Sequence, residues 1–193
     1  MPSNSYHFIT HWRVEGDLDE VREVIGDSAG LPRWWPSVYL DVQVREPGDA
    51  NGVGRVVGLY TKGWLPYTLR WDFRVTDVQQ TRLALEAWGD FDGTGVWTFK
   101  QDGAFVDITY DWKINAEKAL LRYLSFVMKP LFSANHQWAM RMGEESLRLE
   151  LARRRAKTAD ERARIAPPPP PTPQSPLRML WNAIHPPTSR VSN

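Results

Sequence analysis

Asn135 and its neighbour His136 are the first residues in this chain that ask for a chemical explanation, because they interrupt a long apolar helix pattern. If each residue turns by roughly 100°, Leu121, Leu124, Met128, Leu131, Trp138, Met142 and Leu149 form one stripe with Asn135 near its centre. A carboxamide buried there without a partner costs on the order of 1–3 kcal/mol. Either the fold or a ligand must therefore satisfy it. His136 falls on the border with the polar side, where it reads as solvated or as capping a carbonyl, although its side-chain type suits proton transfer. A second set is aromatic. The chain carries 10 Trp, 6 Tyr and 7 Phe, and Trp35, Tyr67, Trp71, Trp97 and Trp112 either pack a bulky core or line an apolar cavity.

Other chemistries find no support. The glycines of Gly52-Val53-Gly54-Arg55-Val56-Val57-Gly58 are wrongly spaced for a dinucleotide loop and lead into a strand rather than a helix. Asp90-Phe91-Asp92-Gly93 lacks the later ligands of a calcium loop and reads as a hairpin turn. The chain has no cysteine and no paired-histidine spacing for a metal. We expect no metal and no cofactor, and no catalytic set can be assigned.

The elements that must position these residues follow from periodicity. Tyr6 to Val14 alternates as a strand. Asp17 with Glu20 predicts a helix start, and Leu31-Pro32-Arg33-Trp34-Trp35-Pro36 a second short helix closed by its proline. From Val38 the period is two. Strands are predicted from Val38, over Arg55–Lys62, Tyr67–Val75, Arg82–Trp88, Gly95–Lys100 and Ala104–Lys113. Seven strands joined by tight turns imply an antiparallel α+β domain, whose apolar face needs cover. The helix from Glu117 to about Leu151 is the one element long enough, with a kink or break expected near Pro130.

This order resembles the helix-grip fold, a seven-stranded curved antiparallel sheet around a long C-terminal helix with two short helices between strands 1 and 2. The resemblance is to the polyketide cyclase/dehydrase and lipid-transport family of the START and birch-allergen-like (SRPBCC) superfamily. It is carried by Leu31–Pro36, by Lys62-Gly63-Trp64-Leu65-Pro66-Tyr67 and by Asn135–Glu144, over about residues 5–152. It implies a cavity between sheet and helix for a hydrophobic small molecule such as a lipid, sterol, polyketide or aromatic. Trp35, Tyr67, Trp71, Trp97, Trp112, Met128, Asn135, Trp138 and Met142 are the ligand-binding residues expected on that basis. The resemblance equally allows a cyclase/dehydrase-like enzyme, in which Asn135 with Tyr67 would hydrogen-bond a developing enolate.

Charge divides the chain. Residues 1–150 carry 16 Lys and Arg against 21 Asp and Glu, whereas residues 151–193 carry 8 against 2. We therefore divide it into a domain over 1–152, a basic helical extension over 153–166 that overhangs the body, a Pro-rich linker over 167–176, and a short amphipathic segment with its tail over 177–193. Residues 153–193 are the candidate for a weak membrane or protein contact, which makes an interaction protein a third reading. The run from Arg153 to Arg164 reads as a solvated helix face, which ranks a nucleic-acid partner low. The absence of cysteine, of a leader-like start and of any run of ~18 apolar residues points to a cytoplasmic protein.

Overall fold

The computed structural model describes residues 5–115 and 119–173, with backbone only for 119–129. The side chains of Leu121, Leu124 and Met128, and the amphipathic segment over 177–193, lie outside the described residues. The elements run β1 (Ser5–Glu15), α1 (Leu18–Gly26), α2 (Leu31–Trp34), β2 (Tyr39–Glu46), β3 (Val56–Lys62), β4 (Thr68–Gln79), β5 (Arg82–Gly89), β6 (Asp92–Asp102), β7 (Phe105–Asn115), α3 (Ala119–Arg155) and α4 (Ala159–Arg164). Among the described residues no helix is long and apolar enough to cross a membrane.

All seven strands join one antiparallel sheet in the order β1-β7-β6-β5-β4-β3-β2. Tight hairpins dictate that order, because each strand from β2 onward pairs with its successor and β1 returns to pair with β7. Register then aligns the aromatic positions: Trp97 stands opposite Tyr110, Gly95 opposite Trp112 and Phe8 opposite Trp112 across the other edge. Alternation along β7 buries Val106, Ile108, Tyr110 and Trp112 on one face. Asp107, Thr109 and Asp111 occupy the other, where they meet Arg13, His11 and His7 of β1.

Helix α1 begins with the predicted capping box: Asp17 accepts from the Asp19 N–H and Glu20 reaches back to the cap. Helix α3 differs from expectation in two respects. It runs through Pro130 without a break. Its buried face is also rotated from the expected stripe: Leu131 is 37% exposed, while Met140, Gly143, Ser146, Leu147, Glu150 and Leu151 are buried. Small residues explain the rotation, since they let the helix approach the body closely. A Cβ added at Gly143 would overlap the indole of Trp35.

The basic extension begins on the body. Arg154 pairs with Glu23 at 2.8 Å and with Glu150 at 3.0 Å, and Arg155 pairs with Glu20 at 2.7 Å. Glu150, only 2% exposed, also receives Arg33. Burial works to raise the Glu150 carboxyl, but the hydrogen bonds from Arg33 and Arg154 outweigh it and hold the group below its ordinary range. The acidic residues Glu20 and Glu23 of α1 thus take up the charge of Arg155 and Arg154, two of the eight basic residues over 151–193.

The Pro-rich stretch likewise folds back. Lys62 is 4% exposed and its Nζ donates to the carbonyls of Thr172 and, at 2.8 Å, Pro173. The Thr172 hydroxyl donates to the Gly63 carbonyl at 3.0 Å. Residues 172–173 therefore rest on the end of β3 and the turn that follows it.

Candidate functional site

Between the sheet and α3 lies a cavity of about 190 Å³. Alternation on β4, β6 and β7 delivers Leu69, Trp71, Trp97, Tyr110, Trp112 and Ile114 to it; the turn after α2 delivers Trp35 and Val38, and the start of β2 delivers Tyr39. Phe132, Asn135, His136, Ala139 and Met140 close it from α3, and Tyr6 and Phe8 from β1. The rings contact one another. Trp97 and Tyr110 stack at 3.9 Å between centroids, Tyr110 and Trp112 at 5.6 Å, and Trp71 meets Phe91 at 5.1 Å. Gly95 makes the stacking feasible, because a Cβ there would lie 2.7 Å from the Tyr110 hydroxyl and 2.9 Å from the Trp112 ring.

Few polar groups face this space. Asn135 is bound mainly by the fold. The N–H groups of Trp64 and Leu65 donate to its Oδ1 at 2.9 and 3.2 Å, which orients the carboxamide and ties α3 to the β3–β4 turn. Gly63 must be glycine for this to happen, since a Cβ there would overlap the Asn135 amide. Trp71 Nε1 donates to Thr61 Oγ1 at 3.0 Å. The Trp35 indole nitrogen and His136 Nε2 are buried without a hydrogen-bond partner among the described residues.

His136 is an inward residue and not an edge one. Its ring stacks on Phe8 at 4.2 Å between centroids. Burial strips it of water and lowers its pKa to about 4, so the imidazole is neutral at pH 7. Burial also pushes the Tyr67 phenol up to about 12, with a smaller contribution from Tyr6, and raises Tyr39 and Tyr110. The phenols are therefore hydrogen-bonding groups, not bases, at neutral pH.

Of the residues expected at the site, Trp35, Tyr67, Trp71, Trp97, Trp112 and Asn135 border the cavity. Trp138 and Met142 do not: both are half-buried on the flank of α3, and Ala139 and Met140 take the inward positions. The side chain of Met128 lies outside the described residues. The expected site residues did not include Tyr6, Phe8, Tyr39, Phe91, Tyr110 or Phe132, and His136 was expected on the polar border of the helix. Tyr6, Phe8 and Tyr110 were legible, since each shares a strand face with Trp12 or Trp112, whereas Phe91 sits in a turn and offers no periodic signal. Among the described residues no three His, Asp or Glu converge as a metal-binding set.

Comparison with solved structures matches the fold. The ZhuI aromatase/cyclase from Streptomyces sp. R1128 superposes with a TM-score of 0.66 at 17% identity, covering 80% of this chain and 98% of that one. The chain has the helix-grip fold. The protein TTHA0849 from Thermus thermophilus matches at 0.61 and 15% identity, over 74% of this chain and 97% of its own. Norcoclaurine synthase from Thalictrum flavum, solved with dopamine and hydroxybenzaldehyde, matches at 0.53 and 15%, over 76% and 87%. No family model matches the sequence, and no curated protein matches it. Helix-grip topology accounts for the cavity's position, with the sheet supplying aromatic walls and α3 the roof.

Proposed function

We propose that the protein binds a small, predominantly apolar ligand, at least partly aromatic, in the cavity under α3. The observation that supports this most is the cavity itself: about 190 Å³ of space among aromatic rings. An engineered apolar cavity of about 150 Å³ holds benzene, so this one takes a single ring with substituents in its present form. A longer poly-keto chain or a sterol would require α3 to move outward. The Trp35 N–H supplies a donor and His136 Nε2 a second unpaired polar atom, a donor or an acceptor according to its tautomer, and a ligand hydroxyl can meet both.

Binding is favoured over cyclase or dehydrase chemistry by one observation. A general base works best with a pKa near the working pH, and His136 lies near 4. The two backbone bonds to the Asn135 oxygen do not bear on the enolate role, which would fall to its Nδ2 donor. The enzyme reading keeps one support, that several proteins with the same fold are aromatase/cyclases.

Native mass spectrometry of the full-length protein, isolated without detergent, tests the proposal. An aromatic or short apolar adduct that disappears in Ala139→Trp is the expected result. A cavity that takes up no such compound from a mixed aromatic library, by the same measurement, would overturn it.

A further inference from the structure

A second space, of about 460 Å³, lies between α1, the loop after β2 and the β4–β5 part of the sheet. Its floor is apolar, made by Phe73, Val75, Leu83, Leu85 and the indole of Trp97, a residue that also lines the first cavity. Trp97 is thus a shared wall. The rim is polar and incompletely satisfied. Arg22 Nε and Ser28 Oγ are both buried without a hydrogen-bond partner among the described residues, and Ser28 is only 5% exposed. Buried polar groups are nearly always paired, so two orphaned groups at one end of an apolar floor point to an acceptor from outside the chain.

Guanidinium groups without a carboxylate partner select its type. Asp19, Glu23 and Asp27 face the same space. Glu23 is engaged by Arg154, and Asp27 by Arg33, Arg154 and the Gly30 N–H. Arg55 adds a second guanidinium, with its Nε held by the Pro47 carbonyl. Arg33 and Arg154 also hold Glu150, so Asp19, Glu23, Asp27 and Glu150 are balanced in number by Arg22, Arg33, Arg55 and Arg154, and of these the guanidinium groups of Arg22 and Arg55 have no carboxylate partner among the described residues. We propose that this space is a second binding site, taking a medium-chain carboxylate. Its head group accepts from Arg22 and Ser28 beside Arg55, and its chain lies over Phe73, Leu83 and Trp97. A charge-assisted bond to a guanidinium is roughly twice as strong as a neutral one. At ~30 Å³ for each water-sized group, a ten-carbon chain fits the volume.

The inference does not depend on the ligand proposed for the first cavity. Its test is titration of the full-length, isotope-labelled protein with decanoate and, in parallel, 1-decanol, followed by NMR. Saturable shifts of the Arg22 side-chain Nε–H and the Ser28 amide with decanoate are expected. Arg22→Gln should weaken decanoate at least ten-fold and Arg55→Gln several-fold, with 1-decanol unaffected. Both variants alter half-exposed or rim positions, and an unchanged melting temperature confirms their fold. Ala139→Trp, which fills the first cavity, should leave the Arg22 shifts in place. Shifts confined to residues around Asn135 and Tyr67, or equal decanoate affinity in the wild type and both arginine variants, would overturn the proposal.

Discussion

The Trp64 backbone N–H donates to Asn135 Oδ1 at 2.9 Å, across 71 residues of sequence, and so joins the β3–β4 turn to the helix that roofs the cavity. A carboxylate can accept the same two backbone bonds, but a methyl group cannot. Asn135→Ala is therefore expected to lower stability by about 1–3 kcal/mol, whereas Asn135→Asp stays close to wild type at neutral pH. Denaturant melts of the pair decide it. If both lose equally, the amide nitrogen rather than the oxygen holds the turn.

His136 makes stability depend on pH in a defined direction. Its folded pKa of about 4 lies below the unfolded value of 6.5. The unfolded chain therefore binds the extra proton first as pH falls, and stability drops between about pH 6.5 and 4. One pKa unit corresponds to about 1.4 kcal/mol, which gives roughly 3 kcal/mol at the lower end. Glu20 and Glu150 titrate below their ordinary carboxylate values and lose their contribution only below about pH 4.5, so the slope between pH 6.5 and 5 isolates the histidine. Urea melts across that interval should be flat in His136→Phe, a replacement that also keeps the stack on Phe8.

Gly143 should resist replacement even though alanine is the better helix former. Alanine gains about 1 kcal/mol in helix propensity, but its methyl group would overlap Trp35, which packs in turn against Trp12, Trp34 and Tyr39. Overpacking of that kind costs about 1–3 kcal/mol. Gly143→Ala is expected to lower the melting temperature and to shift Trp35 fluorescence, and the double variant with Trp35→Phe should recover part of the loss.

The sheet was readable from sequence because period two leaves one solution for each strand: Trp71, Trp97 and Trp112 reach the cavity side by counting alone. Helix α3 was not, for a physical reason. Its inward face combines Ala139, Gly143, Ser146 and a paired Glu150 with Met140 and Leu147, so a stripe drawn through the largest apolar residues points to the flank. His136 was misplaced with it. The docking of Arg154 and Arg155 was equally hidden, since their partners in α1 lie more than 100 residues earlier, and composition reports charge without reporting which charges meet.

Lys62 carries the last prediction. Its ammonium is buried where the Pro-rich segment crosses the end of β3, and there it donates to the carbonyls of Thr172 and Pro173. Because polyproline is already extended and loses little entropy on docking, a few such bonds suffice to hold it. Lys62→Met keeps the length and apolar volume of the side chain but removes the donor. Replacing a buried charge by an apolar residue is often neutral or stabilising for the fold, so the melting temperature should hold or rise while residues 167–173 loosen. Limited trypsin digestion after Arg164 reads the second effect directly, and several-fold faster cleavage in the variant is expected. Equal cleavage rates would mean that the Thr172 hydroxyl bond to Gly63 and packing alone retain the segment.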